Sequence, residues 1–312
     1  MGNIKINNEK CFYYKIVLND NVFFVSTNVK DLPRYILNDS SYQECEQEIK
    51  EFSACISVIL SDTIKNNYSY YDDARSGYCD EDNDQDNRII RIGDRIVYSF
   101  TYPNNSILII REKESVYEIL TGNFDVAIFH FRMILKKLLI LLHTDDCVFH
   151  AMGITKGSKG LIIMGNAGSG KTTIGIKTLN KEGVSLLSDE IIFIDDNLSV
   201  SGADICASIR YDSLRYISSS IGENDLYYNL YSKCYYKINS KSDVMVTLDN
   251  CQIAVLDDVD QMEIITDADN KYKLLQIHSE KINKRIFEKI STKPIYLINR
   301  NIDVEDIMFF LI

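Results

Sequence analysis

The eight cysteines, at positions 11, 45, 55, 79, 147, 206, 234 and 251, include no CxxC pair and have no histidine at zinc-finger spacing. A structural zinc site is therefore excluded as an organising feature. Cys55, Cys147 and Cys206 lie in apolar surroundings and read as buried thiols. Basic residues are in short supply, with 34 Lys+Arg against 45 Asp+Glu and a formal net charge of -11. That balance argues against a broad nucleic-acid surface, because phosphate backbones are gripped by clustered cations. The opening MGNIKINNEKCFYY lacks the basic-then-apolar order of a signal peptide, and Ile6 stands where a myristoylation motif wants Ser or Thr. A cytoplasmic chain is expected. Tryptophan is absent and only 3 prolines occur, from which no function follows. No internal repeat is visible.

No apolar run is long enough for a membrane span. The nearest, VAIFHFRMILKKLLILLH from Val126 to His143, carries His130, Arg132, Lys136 and Lys137, whereas a spanning helix needs about 20 mostly apolar residues. Its apolar positions 127, 131, 134, 138, 141 and 142 recur at helical spacing, which predicts an amphipathic helix on a core. The acidic stretch Tyr68 to Arg88 lacks the DxDxDG order and closing Glu of a calcium loop, and reads as a solvated charge run.

With 312 residues, 46% hydrophobic and 25% charged, the chain can build one large or two ordinary domains with a substantial core. Residues 1–121 read as mostly β, beginning with CFYYKIVL and NVFFVS around the hairpin-like turn Asn19-Asp20-Asn21. After Gly122 comes the amphipathic helix, and beyond residue 144 strands alternate with helices. SEKINKRIFEKIS is expected to be helical, and VEDIMFFLI closes the sequence. The expected division is a β-rich α+β N-terminal domain, 1–144, with a role in substrate recognition, and an α/β C-terminal domain, 145–312.

The chemistry centres on LIIMGNAGSGKTTIGIKTL. Gly165, Asn166, Ala167, Gly168, Ser169, Gly170, Lys171 and Thr172 complete the pattern G-x-x-x-x-G-K-[ST], with Thr173 following. The glycines permit positive φ and let backbone N–H groups converge on an anion. The helix that follows adds its positive dipole end, Lys171 can reach the β- and γ-phosphates, and the Thr172 hydroxyl can ligate Mg²⁺. An apolar strand precedes the loop and a helical pattern follows, the context a nucleotide site requires. Mg²⁺ wants a second, acidic group at a neighbouring strand end. Asp189 and Glu190, Asp195 and Asp196, or Asp257 and Asp258 could supply it; Asp195-Asp196-Asn197 also reads as a turn, and Asp257-Asp258 has the look of a conventional strand-end acid.

The segment FHAMGITKGSKGLIIMGNAGSGKTTIGIKTLNKEGVSLLSDEIIFI resembles the catalytic core of the HPr kinase/phosphorylase family and its relatives associated with peptide modification. The matching positions are His150, Ile154, Gly165 to Thr172, and Ser188-Asp189-Glu190. His150 precedes Gly165 by fifteen residues, which suits two adjacent strands joined at the Lys156–Lys159 turn. The resemblance covers about residues 146–200 and, more loosely, KPIYLINRNIDVEDIMFFLI at the end. It implies a P-loop kinase fold of the HPr-kinase and PEP-carboxykinase type, ATP or GTP with Mg²⁺ as cofactors, and a cytoplasmic enzyme that can form homo-oligomers. It also implies roles for His150, Lys171, Asp189 and Glu190 in transfer and for Thr172 and Asp189 at the metal. The acidic pair is Asp-Glu where the family has Asp-Asp. ASIRYDSLRYI stands where the family carries Glu-x-Arg-Gly. The implied acceptor is therefore a hydroxyl, serine foremost, on a peptide, protein or small molecule rather than HPr. Arg210 and Arg215 could bind phosphate or an acidic substrate, or pair on the surface; His130, His143 and His278 read as structural. Two rival readings stand beside the kinase. One is a P-loop NTPase switch served by Asp257-Asp258, and the other is a peptide-binding module with a vestigial nucleotide site.

Overall fold

The computed structural model describes residues 11–37, 39–45, 52–60, 87–92, 95–100, 106–111, 116–203, 205–217, 221, 226–229, 233–236 and 246–312. Most of the acidic stretch 68–88, with Cys79, lies outside the described residues. The chain is mixed α/β with several sheets and few helices, and it divides into two compact units, Met1–Leu138 and Leu139–Ile312.

The first unit holds β1 (Phe12–Leu18), β2 (Asn21–Thr27), β3 (Tyr42–Glu44), β4 (Ala54–Leu60), β5 (Asn87–Ile92), β6 (Arg95–Phe100), β7 (Ser106–Arg111) and β8 (Val116–Thr121). They form one mixed sheet in the order β3-β1-β2-β4-β8-β7-β6-β5. Asn19 and Asp20 both take left-handed backbone, the conformation a two-residue hairpin turn needs. Register explains the buried face. Tyr14 pairs with Val25, Val25 with Ile56 and Ile56 with Tyr117, so side chains of one parity form an apolar stripe across four strands. The buried Tyr14 hydroxyl is satisfied by the Asp31 N–H at 2.7 Å.

Helix α1 (Phe124–Leu142) follows, and the division between units falls within it. Ala127, Phe131, Ile134 and Leu138 are buried as the periodicity predicts, with Val126, Ile128, Leu135 and Leu139 beside them. Leu141 departs from that expectation: it lies in the last turn and is exposed. Among the described residues, no helix is long and apolar enough to cross a membrane.

The second unit contains β9 (Cys147–Phe149), β10 (Met152–Lys156), β11 (Lys159–Gly165), α2 (Lys171–Thr178), β12 (Val184–Ser188), β13 (Ile192–Ile194), β14 (Ser199–Gly202), β15 (Ala207–Arg210) and α3 (Tyr211–Leu214). Then come β16 (Leu226–Asn229), β17 (Lys233–Tyr236), β18 (Val246–Thr247), β19 (Cys251–Asp257), β20 (Glu263–Ile265), α4 (Ala268–Ile277), β21 (Ser279–Lys281), α5 (Lys284–Ser291), β22 (Ile295–Asn299) and α6 (Val304–Phe309). The six-stranded sheet runs β12-β10-β11-β19-β22-β20, with β11, β19 and β22 mutually parallel. Beside it are a five-stranded sheet, β18-β14-β13-β9-β21, and a three-stranded sheet, β15-β17-β16.

Alternation along β11 and β19 decides which core each residue enters. Leu161, Ile163, Ala254 and Leu256 pack with Ile174 and Ile176 of α2 and with Ile307. Ile162, Met164, Ile253 and Val255 pack with Phe149, Ile192 and Phe287 on the other face. A central strand buried on both faces reads as an unbroken apolar run, as LIIM does. Gly175 lets α2 approach β10, since an added Cβ would lie 2.0 Å from the Met152 sulfur.

Three further expectations are corrected. Ser279–Lys281 is strand rather than helix, because it pairs with β9 and the helix starts only after Asn283, whose side chain accepts from the Arg285 N–H. Cys147 and Cys206 are buried, but Cys55 is only half-buried, since it lies on the face of β4 opposite Ile56. Cys234 and Cys251 are buried as well. His150 lies at the joint between β9 and β10, where the chain passes from one sheet to the next, and not on a strand.

Candidate active site

The glycine loop links the C-terminal end of β11 to α2. Gly165, Gly168 and Gly170 take φ of 150°, 79° and 102°, where an L side chain is strained. A Cβ on Gly165 would also lie 2.6 Å from the Ser169 Oγ and 3.2 Å from the Leu256 carbonyl oxygen, so that position is closed by sterics as well as by φ. Lys171, the first residue of α2, is buried. Its Nζ donates to the carbonyl oxygens of Gly165 at 2.6 Å and Asn166 at 3.2 Å, which holds the ammonium inside the loop.

Asp189 joins three elements. It follows β12, is 3% exposed, and both carboxylate oxygens accept: Oδ1 from the Thr172 hydroxyl and Oδ2 from the Ser208 N–H, each at 2.9 Å. Bonds to a carboxylate are worth about 1.5–3 kcal/mol each, enough to fix this side chain against the start of α2. Glu190, the next residue, has φ 73°. Left-handed backbone at a non-glycine residue costs on the order of 1 kcal/mol and persists only where its surroundings impose it.

His150, Ala167 to Thr173, Asp189 and Glu190 share one cavity of about 500 Å³ with Ser208 to Arg210, Ser213 and Lys233. Gly165 and Asn166 do not line it; their carbonyl oxygens accept from Lys171. The backbone N–H of His150 donates to the carbonyl of His278 at 2.8 Å, and its Nδ1 is 3.9 Å from the Glu280 carboxylate. His278 is buried, and its imidazole is held below the ordinary histidine range by that burial and by the charge of Lys171, with Asp257 opposing.

The other acidic pairs lie elsewhere. Asp195 is a turn residue: its carboxylate accepts from the Ser199 N–H and its carbonyl from the Leu198 N–H. Asp257 ends β19, the parallel neighbour of β11, but is exposed and accepts from the Asp258 N–H, while Asp258 pairs with Arg300 at 3.0 Å. Arg210 reaches the cavity, whereas Arg215 lies over the Tyr216 ring and bonds its hydroxyl.

Sequence reasoning did not single out Ser208, Ser213 or Lys233. They arrive through β15, α3 and β17, which the local sequence around them does not connect. A scan against protein-family models gives no match, and a search of curated proteins gives none. Among the described residues no three His, Cys, Asp or Glu side chains converge as a metal cage.

Proposed function

We propose that the chain is a cytoplasmic, nucleotide-dependent kinase with an HPr-kinase-like catalytic domain. It transfers the γ-phosphoryl group of ATP or GTP to a hydroxyl, serine foremost, of a peptide, protein or small molecule. The observation that carries this reading is the hydrogen bond from Thr172 to Asp189, which joins the glycine loop to an acid inside a cavity that His150 also lines.

The residues present suit the groups the reaction needs. Three glycines in left-handed backbone, the Lys171 ammonium and the buried Ser169 hydroxyl form a cradle for phosphate oxygens. Thr172 and Asp189, one hydroxyl and one carboxylate within hydrogen-bond distance of each other, are hard oxygen donors of the kind that would hold Mg²⁺. Bound Mg²⁺ supplies charge neutralisation at the donor phosphates. Lys171 exchanges its two carbonyl partners for phosphate oxygens. An Asp189 carboxylate oxygen orients or accepts the acceptor's hydroxyl proton. His150 bonds the acceptor or a phosphoryl oxygen from the cavity wall, and Glu190 sets the charge of the rim.

The NTPase alternative draws on one observation, the place of Asp257 at the end of the strand parallel to β11. The two readings separate by mutation. Asp189→Asn is expected to lower transfer by about 10²–10⁴ with nucleotide affinity nearly unchanged, and Asp257→Asn to leave transfer intact. The reverse pattern would favour the switch.

A further inference from the structure

Two features of the cavity wall formed by β15 and β17 cost stability; the loop shares only the second of them, in the buried and unpartnered Ser169 Oγ. Arg210 on β15 and Lys233 on β17 are directly opposed in an antiparallel pair, so their side chains share a face. Like charges at such a position are destabilising. Ser208, two residues before Arg210, falls on the same face. It is 7% exposed, and its Oγ is buried with no hydrogen-bond partner. An unsatisfied buried hydroxyl costs on the order of 1–3 kcal/mol. All three residues line the cavity, and Arg210 stands against the loop, its Nη1 3.2 Å from where a Cβ on Gly168 would be. Asp212 approaches the Arg210 Nε at 3.6 Å, but both side chains are exposed, which makes this a weak pair.

An anion between Arg210 and Lys233 that also accepts from Ser208 removes both costs. The donor's phosphates have their own partners in Lys171 and the loop amides. Asp189 takes the Thr172 hydroxyl on Oδ1 and the Ser208 N–H on Oδ2, so Ser208 lies across that carboxylate from the start of α2, on the side left for an acceptor. Resting on the transfer reading above, we propose that Ser208, Arg210 and Lys233 form a second anion subsite. It receives a carboxylate or phosphate carried by the acceptor next to its reactive hydroxyl, and so selects acidic acceptors for an acidic protein.

The test is calorimetric titration of the full chain with a non-hydrolysable Mg²⁺–nucleotide analogue, then of the saturated complex with inorganic phosphate and with serine peptides flanked by Asp, Gln or Lys. The expected result is a second phosphate site and a preference for the Asp peptide, both weakened at least tenfold by Lys233→Ala and by Ser208→Ala, with analogue affinity unchanged. Analogue binding without a second phosphate site, or with one indifferent to Lys233→Ala, overturns the subsite and leaves the kinase reading standing. Weakening of the analogue itself by Lys233→Ala assigns these cations to the donor and also overturns it. Failure of the wild-type chain to bind the analogue refutes the kinase reading and the subsite with it.

Discussion

Asp189 is where single-atom changes are most informative. Its two oxygens hold Thr172 and the Ser208 amide, so Asp189→Asn keeps the shape and removes the charge. Lys171→Ala acts on the other partner: with the buried ammonium gone, nucleotide affinity is expected to fall by tenfold or more, read by titration with the Mg²⁺–nucleotide analogue. The loop and the Asp189 position were legible because their signals are local. Glycines at fixed offsets announce the positive-φ turn that Gly165, Gly168 and Gly170 form, and an acid after a short apolar run marks a strand end, as Asp189 does after β12. Ser208 and Lys233 were not legible, because their meaning comes from a strand pairing that joins residues about 25 apart, in register with nothing in the local composition.

At the level of elements, the positions of β12 and α2 determine whether Asp189 and Thr172 meet. Gly202 on β14 passes so close to the end of β12 that an added Cβ would lie 2.2 Å from the Ser188 Cβ and 2.5 Å from the Leu187 carbonyl oxygen. Because the second contact is backbone, no rotamer change relieves it. Gly202→Ala is expected to cost about 1–3 kcal/mol in chemical denaturation, as overpacking does. It is also expected to lower transfer by displacing Asp189. β21 shows where local reading fails. Ser-Glu-Lys is good helix material, yet it pairs with a strand some 130 residues earlier, and that pairing places Glu280 beside His150. Tertiary partners override propensity in so short an element.

For the whole molecule, the charge balance and buried histidines govern behaviour with pH. Burial pushes the His130 imidazole down to about 4 from its ordinary 6.5. Between those values the unfolded chain binds a proton that the folded chain refuses, so stability falls as pH drops from 6.5 towards 4 and this contribution is complete below that. The loss from this one residue is at most about 3 kcal/mol. Unfolding followed by circular dichroism at pH 7 and 4.5 checks it: His130→Leu is expected to flatten the difference, and an unchanged slope would contradict the assignment. His278 acts in the same direction. The division into a β-rich unit and an α/β unit follows from a change in sequence texture that a long amphipathic helix bridges. The limit between the units, at Leu138 and Leu139, falls inside that helix, where composition carries no boundary signal.

Transfer is separated from hydrolysis most directly by incubation with γ-labelled nucleotide, Mg²⁺ and acidic serine peptides, alongside a lysate of the source. The wild-type chain and Asp257→Asn are expected to label an acceptor, while Asp189→Asn binds nucleotide and labels nothing. Release of free phosphate with no labelled acceptor, or labelling that survives Asp189→Asn and is lost in Asp257→Asn, would contradict the account.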